Sequence, residues 1–206
     1  MKPNMENNSK SDIKILKAVY NLAETTEYDS KHSQQVTNIA LSIFDQLQPL
    51  HLLTEAERNY LKYASILHDI GWVDGWKGHH KTTLNIILNT KMLPFSSKER
   101  LIIGSIARYH RGSLPSNEHD HFRALKHEEK NTVRVLSALL RIADGMDHSH
   151  QSNLSKLIIN ITPKRIILKC LVKEFNPEDK SVAEIKSDLL MSVFPKYKLV
   201  IQWKTI

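Results

Sequence analysis

Eleven histidines occur in 206 residues, and their positions matter more than their number. His32 follows the pair Asp29-Ser30, His68 and Asp69 end the run ASILHDIG, and His79-His80 follow a glycine-containing loop. His110 stands in ARYHRG and Asp144 in LLRIADGMD. Neutral imidazoles and ionised carboxylates without thiolate are donors for Mn, Fe, Co, Ni, Zn or Mg rather than for a structural zinc. Brought to one point, His32, His68, Asp69, His79 or His80, His110 and Asp144 would hold one or two such ions. An Asp beside a His at a helix end can also bridge two ions, as dinuclear hydrolases require. Singly, each has a plainer reading. A His near a helix end serves the dipole, and Asp144 alone reads as a salt-bridge partner of Arg141 or Arg108. The combination carries the chemistry.

These residues must be positioned by helices. Apolar residues at helical spacing predict a first helix from Ser11 to about Tyr28 and a second from Asp29-Ser30 to Pro49. Thr54 with Glu57 forms a capping-box pattern opening a third helix, for which Gly71 is the expected stop. A fourth is predicted over about His80 to Lys91. Ser96 with Glu99 repeats the capping box ahead of a fifth, Leu101 to Arg111, ended by Gly112. After the polar loop SLPSNEHDHF, a long helix spans about Lys126 to Asp147. Each candidate ligand then falls near an element's end.

Beyond residue 150 the pattern changes. Residues 157–161 and 165–172 read as two strands joined by Thr162-Pro163-Lys164. Asn176-Pro177 opens one helix with Val182, Ile185, Leu189, Leu190 and Val193 as its stripe, and Lys198 to Trp203 reads as a last strand. The expected architecture is mainly α: a helical bundle over 11–152 behind a disordered tail (1–10), followed by a small C-terminal α+β unit of ββαβ order (153–206).

Composition bounds the function. A hydrophobic content of 41% suffices for a core, no run is long enough to span a bilayer, and the first residues carry no signal peptide. One cysteine, Cys170 in IILKCLV, excludes an internal disulfide and reads as core, which with the other features leads us to expect a cytoplasmic protein. The net charge of +7 is spread along the chain, without basic runs or interleaved aromatics. It suits an anionic phosphorylated small molecule or polyphosphate and disfavours nucleic acid and membrane as partners. His119, His121, His127, His148 and His150 read as solvent-exposed, and His51 as a turn residue. Trp72 and Trp76 flank the loop between ligand pairs, either as a base-stacking platform or as a lid on the core.

Several stretches together carry a resemblance. YDSKHSQQV, LHDIGW, GHHKTT with NIILN, LPFSSKERLIIGSIARYHRG and LLRIADGMDHSH resemble, over roughly residues 28 to 150, the C-terminal HD-like region of the exopolyphosphatase/guanosine pentaphosphate phosphatase (Ppx/GppA) family. The order His32, His68-Asp69, Asp144 likewise resembles the HD-domain superfamily of metal-dependent phosphohydrolases. The resemblance implies metal ligation by those four residues, with His80 (or its neighbour His79) and His110 added in a dinuclear centre. Thr82 stands where the family commonly has a further histidine. The family's chemistry lies in actin-like lobes that this sequence lacks, so the chain reads as a standalone relative. The expected activity is hydrolysis of a phosphate ester or anhydride. Asp69, or a second carboxylate such as Asp147, would take a proton, and Lys81 and Arg111, each one residue after a candidate ligand, would face the phosphoryl charge. The alternative is a non-catalytic regulatory or anion-binding module of polyphosphate or guanosine tetraphosphate metabolism, dimeric through its ββαβ unit.

Overall fold

The computed structural model describes residues 5–26, 28–75 and 77–206, with the side chains of 5–11 and of Asp74 left aside. Seven helices precede the sheet: α1 (Met5–Glu24), α2 (Ser30–His51), α3 (Glu55–Leu67), α4 (His79–Asn89), α5 (Ser97–Arg108), α6 (Asp120–Arg123) and α7 (His127–Gly145). A 3-10 turn, Ile70–Asp74, links α3 to α4. Strands β1 (Leu154–Ile161) and β2 (Arg165–Val172) follow, then α8 (Pro177–Ile185), α9 (Asp188–Val193) and β3 (Lys198–Thr205). The molecule is thus mainly helical with a three-stranded sheet at its C-terminal end.

Helix starts follow the caps written in the sequence. Thr54 and Glu57 exchange side-chain and backbone bonds at the start of α3, and Ser96 and Glu99 do so at α5. Because the cap is Ser96, α5 begins at Ser97 rather than Leu101. Asp29 caps α2 by accepting from the His32 N–H at 3.0 Å, which sets His32 in the first helical turn. Helix α2 runs past Pro49 to His51, and Leu52 closes it in a left-handed conformation with its N–H on the Gln48 carbonyl. Of the expected disordered tail, residues 1–4 lie outside the described residues and 5–10 belong to α1.

Helix α7 is the axis of the bundle. Val133, Leu136, Leu139, Leu140, Ile142 and Ala143 are fully buried against α2, α3, α5, α8 and α9. Each large aliphatic side chain so buried contributes about 1.5–3 kcal/mol before entropy is subtracted. Burying this face fixes the direction in which Asp144, its penultimate residue, can point.

In the sheet, β2 is central, antiparallel to β1 and parallel to β3, with α8 and α9 forming the crossover. Ile166, Leu168, Cys170 and Val172 alternate onto its buried face. The outer edge of β1 is bonded by amides of α2: Gln46 accepts from Ile159 N–H at 2.7 Å and donates to the Leu157 carbonyl, and Gln35 donates to that of Leu154. The helix that carries His32 therefore also anchors the sheet. The single helix expected after Pro177 is two, broken at Lys186-Ser187. At Gly145 a Cβ would lie 2.9 Å from the Ala183 Cα, so the glycine lets α8 press onto α7.

Candidate metal centre

Helix α3 ends one residue before His68, its cap. The chain then turns through Asp69 into the 3-10 segment, and Thr83 of α4 clamps the turn. Its hydroxyl donates to the His68 carbonyl at 2.9 Å and accepts from Gly71 N–H at 3.0 Å. Gly71 is not the helix stop expected of it. A Cβ there would meet the His79 carbonyl at 2.1 Å and the Thr83 nitrogen at 2.6 Å, so its role is to let α4 lie directly on the His68-Asp69 turn.

Six side chains converge at this place. His32 Nε2 lies 3.3 Å from Asp144 Oδ1 and 3.9 Å from Asp69 Oδ2. His68 Nε2 lies 3.4 Å from Asp69 Oδ2 and 3.8 Å from Asp144 Oδ1. On the opposite side of Asp69, its Oδ1 lies 3.1 Å from His79 Nε2 and 3.4 Å from His110 Nε2, and those two nitrogens are 3.2 Å apart. Among the described residues two adjoining donor groups are wholly buried, His32/His68/Asp144 and Asp69/His79/His110, and a third, His32/Asp69/His150, reaches the surface. One carboxylate faces both buried groups.

Three of the imidazoles are oriented from behind. His68 Nδ1 donates to the Ser65 carbonyl and His110 Nδ1 to that of Ala107, each at 2.7 Å. His32 Nδ1 faces Asp147 Oδ2 at 2.9 Å. A proton held on Nδ1 leaves the Nε2 lone pair turned inward, the arrangement that outer partners impose on metal-binding histidines. Asp147 is fully buried and its other oxygen accepts from Ser152 N–H.

These residues fit a divalent ion. His32 Nε2, His68 Nε2 and Asp69 Oδ1 are buried with no hydrogen-bond partner among the described residues, an expensive state for polar atoms that an ion would relieve. Bonds of about 2.1 Å to nitrogen or oxygen put neighbouring donors roughly 3–3.4 Å apart, close to the shorter separations here.

Electrostatics agree. Burial pushes the His32 imidazole down, but the neighbouring Asp144 and Asp147 carboxylates outweigh it and raise its pKa to about 10. Burial likewise opposes a charge on His68, yet Asp69 raises it. Burial would raise both carboxyls. Asp69 is nevertheless held well below its ordinary value by His68, His79 and His110, and Asp144 by Lys186, His32 and His110. His110, without a carboxylate in hydrogen-bonding contact, is driven well down by burial.

The remaining sequence candidates separate cleanly. Of the His79-His80 pair it is His79 that joins the cluster. His80 turns away, its ring perpendicular to that of His79 and its Nδ1 buried without a hydrogen-bond partner among the described residues. Arg111 lines the adjoining cavity of about 570 Å³, whereas Lys81 is exposed and is not among the described residues lining it. Arg141 does not pair with Asp144. Its guanidinium grips both oxygens of Asp188 at 2.8 and 3.1 Å, while Lys186 takes Asp144. His119 and His121 are half-buried against Tyr109 rather than exposed, with Tyr109 Oη 2.8 Å from His119 Nδ1. Trp76 lies outside the described residues, and Trp72 stacks on His79 with one face partly open.

Sequence reasoning missed part of the rim. His148 and His150 are exposed as expected, yet both line the cavity, as do Arg141, Lys186, Val182 and Ile185. His150 stacks on His32 at 3.7 Å with Nδ1 3.0 Å from Asp29 Oδ2. Asp179 of α8 pins that turn by accepting from the Ser149 N–H and hydroxyl. The one sequence signal was the run DHSH, which begins three residues after Asp144. Lys186 had none.

The class this defines is a mainly helical domain with buried His/Asp groups able to hold a divalent metal. The chain belongs to the Ppx/GppA phosphatase family, whose domain III model matches residues 16–183. Its relatives include the guanosine-5'-triphosphate,3'-diphosphate pyrophosphatase of Vibrio vulnificus, 28% identical over 129 residues (62% of this chain, 25% of that protein). The proteins of that name from Aeromonas hydrophila (28% identical, 57% of this chain, 23% of that protein) and Pseudoalteromonas translucida (29%, 56% and 22%) match similarly. The chain thus spans about a quarter of the length of these curated relatives. Among the described residues no helix is long and apolar enough to cross a membrane.

Proposed function

We propose that the chain is a metal-assisted phosphohydrolase with an HD-type centre, cleaving a phosphate ester or anhydride in a nucleotide or polyphosphate-type substrate. The observation that carries this reading is Asp69, whose two oxygens face two different groups of imidazoles. In it, His32, His68, Asp69 and Asp144 hold one divalent ion (Mn, Fe, Co, Ni, Zn or Mg), and Asp69, His79 and His110 a second. Such ions, when bound, supply Lewis acidity toward water and phosphoryl oxygen.

The protein's own groups do the rest. Asp147, Ser65 and Ala107 hold three imidazoles in the binding tautomer. Arg111, at the cavity rim, offers a cation to the phosphoryl oxygens. Asp69 serves chiefly as a holder, since its two oxygens face imidazoles on opposite sides. His150, backed by Asp29, is a His–carboxylate pair at the mouth, suited to carrying a proton to or from the reacting oxygens. The net charge of +7 favours capture of anions, and the names of the relatives support a nucleotide polyphosphate. The single, buried, unpaired Cys170 supports a cytoplasmic setting.

A second reading, a non-catalytic anion-binding module, is favoured by the match to domain III alone. The two are separated by phosphate release from a panel of nucleotides and polyphosphate, run with Mn, Co, Ni and Mg in turn. Turnover that disappears in Asp69→Asn supports the enzyme. Absence of turnover with every pairing, alongside retained anion binding, overturns it in favour of the module.

A further inference from the structure

We infer that Lys186 of the C-terminal unit contacts the substrate's phosphoryl oxygens, so that the ββαβ unit completes the site rather than merely flanking it. This rests on the phosphohydrolase reading above. Lys186 caps α8, at the break before α9. Its side chain is only 15% exposed, and its ammonium bonds Asp144 Oδ2. That is the oxygen left over, since Oδ1 makes the approaches to His32 and His68. Asp144 is the ammonium's one side-chain partner among the described residues.

The position is built from both units. Arg141 of α7 forks onto Asp188, the first residue of α9. That fork and the close contact at Gly145 fix the α8–α9 break over the end of α7. Lys186 thereby lines the same cavity as Asp69, His79, His110 and Arg111. An ammonium has three donors. One engages Asp144 and the others remain for an anion above the His/Asp floor, without any movement of the lysine. A merely structural role explains this poorly, because burying an ion pair where an apolar side chain would fit contributes little net stability.

A cation in this place must weaken metal binding while strengthening phosphate binding, so its removal moves the two in opposite directions. The test is calorimetric titration of Mn alone, then of inorganic phosphate into the Mn-loaded protein, for wild type, Lys186→Met and Lys186→Gln. Both variants are expected to bind Mn several-fold tighter and phosphate about 10- to 100-fold more weakly, the range of a lost charge-assisted hydrogen bond. Lys186→Arg should stay near wild type in both. If the two affinities fall together, Lys186 is a packing residue and the inference fails. It fails equally if phosphate binding matches wild type. A wild-type protein that takes up no Mn overturns the functional reading itself and this inference with it, which distinguishes the two failures.

Discussion

Two groups of histidines, drawn from α2 to α6 and the turns between them, differ in their charged neighbours. One, His32, His68, His79 and His110, surrounds Asp69 and Asp144. The other, His80 and His121 with His119 beside it, shares Arg108 as a charged neighbour, itself only 4% exposed and with one guanidinium nitrogen buried and without a hydrogen-bond partner among the described residues. Burial disfavours a protonated imidazole in both. In the first group carboxylates overturn that penalty at His32, whose pKa rises to about 10. In the second, burial and then Arg108 bring His80 and His121 each down to about 4. Asp120, the acid that reaches His121, is exposed and engaged by Arg123. The lesson is that a histidine count says little. The carboxylates decide which cluster can attract a cation.

The largest effect should come from removing the shared carboxylate. Asp69→Asn is expected to lower metal affinity at least about 100-fold, beyond what loss of an outer partner costs, measured as metal content after equilibrium dialysis with Mn. Retained stoichiometric metal would break the contrast between the clusters. Next is the neighbouring pair on α4. His79→Ala should halve the metal bound at saturation, and His80→Ala should leave it unchanged. Equal losses would erase the assigned boundary between the two groups. A smaller effect is expected from Asp147→Asn, which leaves every donor in place but loosens the tautomer of His32. About 10- to 100-fold in affinity should be lost.

The subtlest test is titration of the metal-free protein by NMR. His80 and His121 should stay neutral down to about pH 4, and His32 should keep its proton up to about pH 10. Stability follows with opposite signs. His32 has a folded pKa above its unfolded value near 6.5, so its contribution is full below that pH and is lost as pH rises through about 10. For His80 and His121 the unfolded chain binds more protons between about pH 4 and 6.5, so stability falls as pH drops through that window. Melting temperatures that are flat on both flanks would remove the electrostatic distinction.

The same contrast shows what was legible in the sequence. The capping boxes at Thr54 and Ser96, the β2 alternation and the Asn176-Pro177 start are local patterns, and the folded chain honours them because each satisfies its own backbone groups within a few residues. The convergence of His32, His68, Asp69, His110 and Asp144 could be proposed from order and type. Choosing between His79 and His80 could not. Neighbouring helical residues point about 100° apart, and which direction faces inward depends on how Gly71 lets α4 settle on the turn before it.

By itself, then, the sequence determined the mainly helical character, the strands at the C-terminal end and a stock of His and Asp donors without thiolate, since periodicity, caps and composition act over short range. Only the tertiary structure decided that Asp69 faces both donor groups, that His80 is excluded, that His148 and His150 border the cavity, and that Lys186 arrives on Asp144 from 42 residues away. Those outcomes depend on how buried faces dock. Docking is set by the summed packing of α7 with its neighbours, and no local stretch of chain encodes that sum.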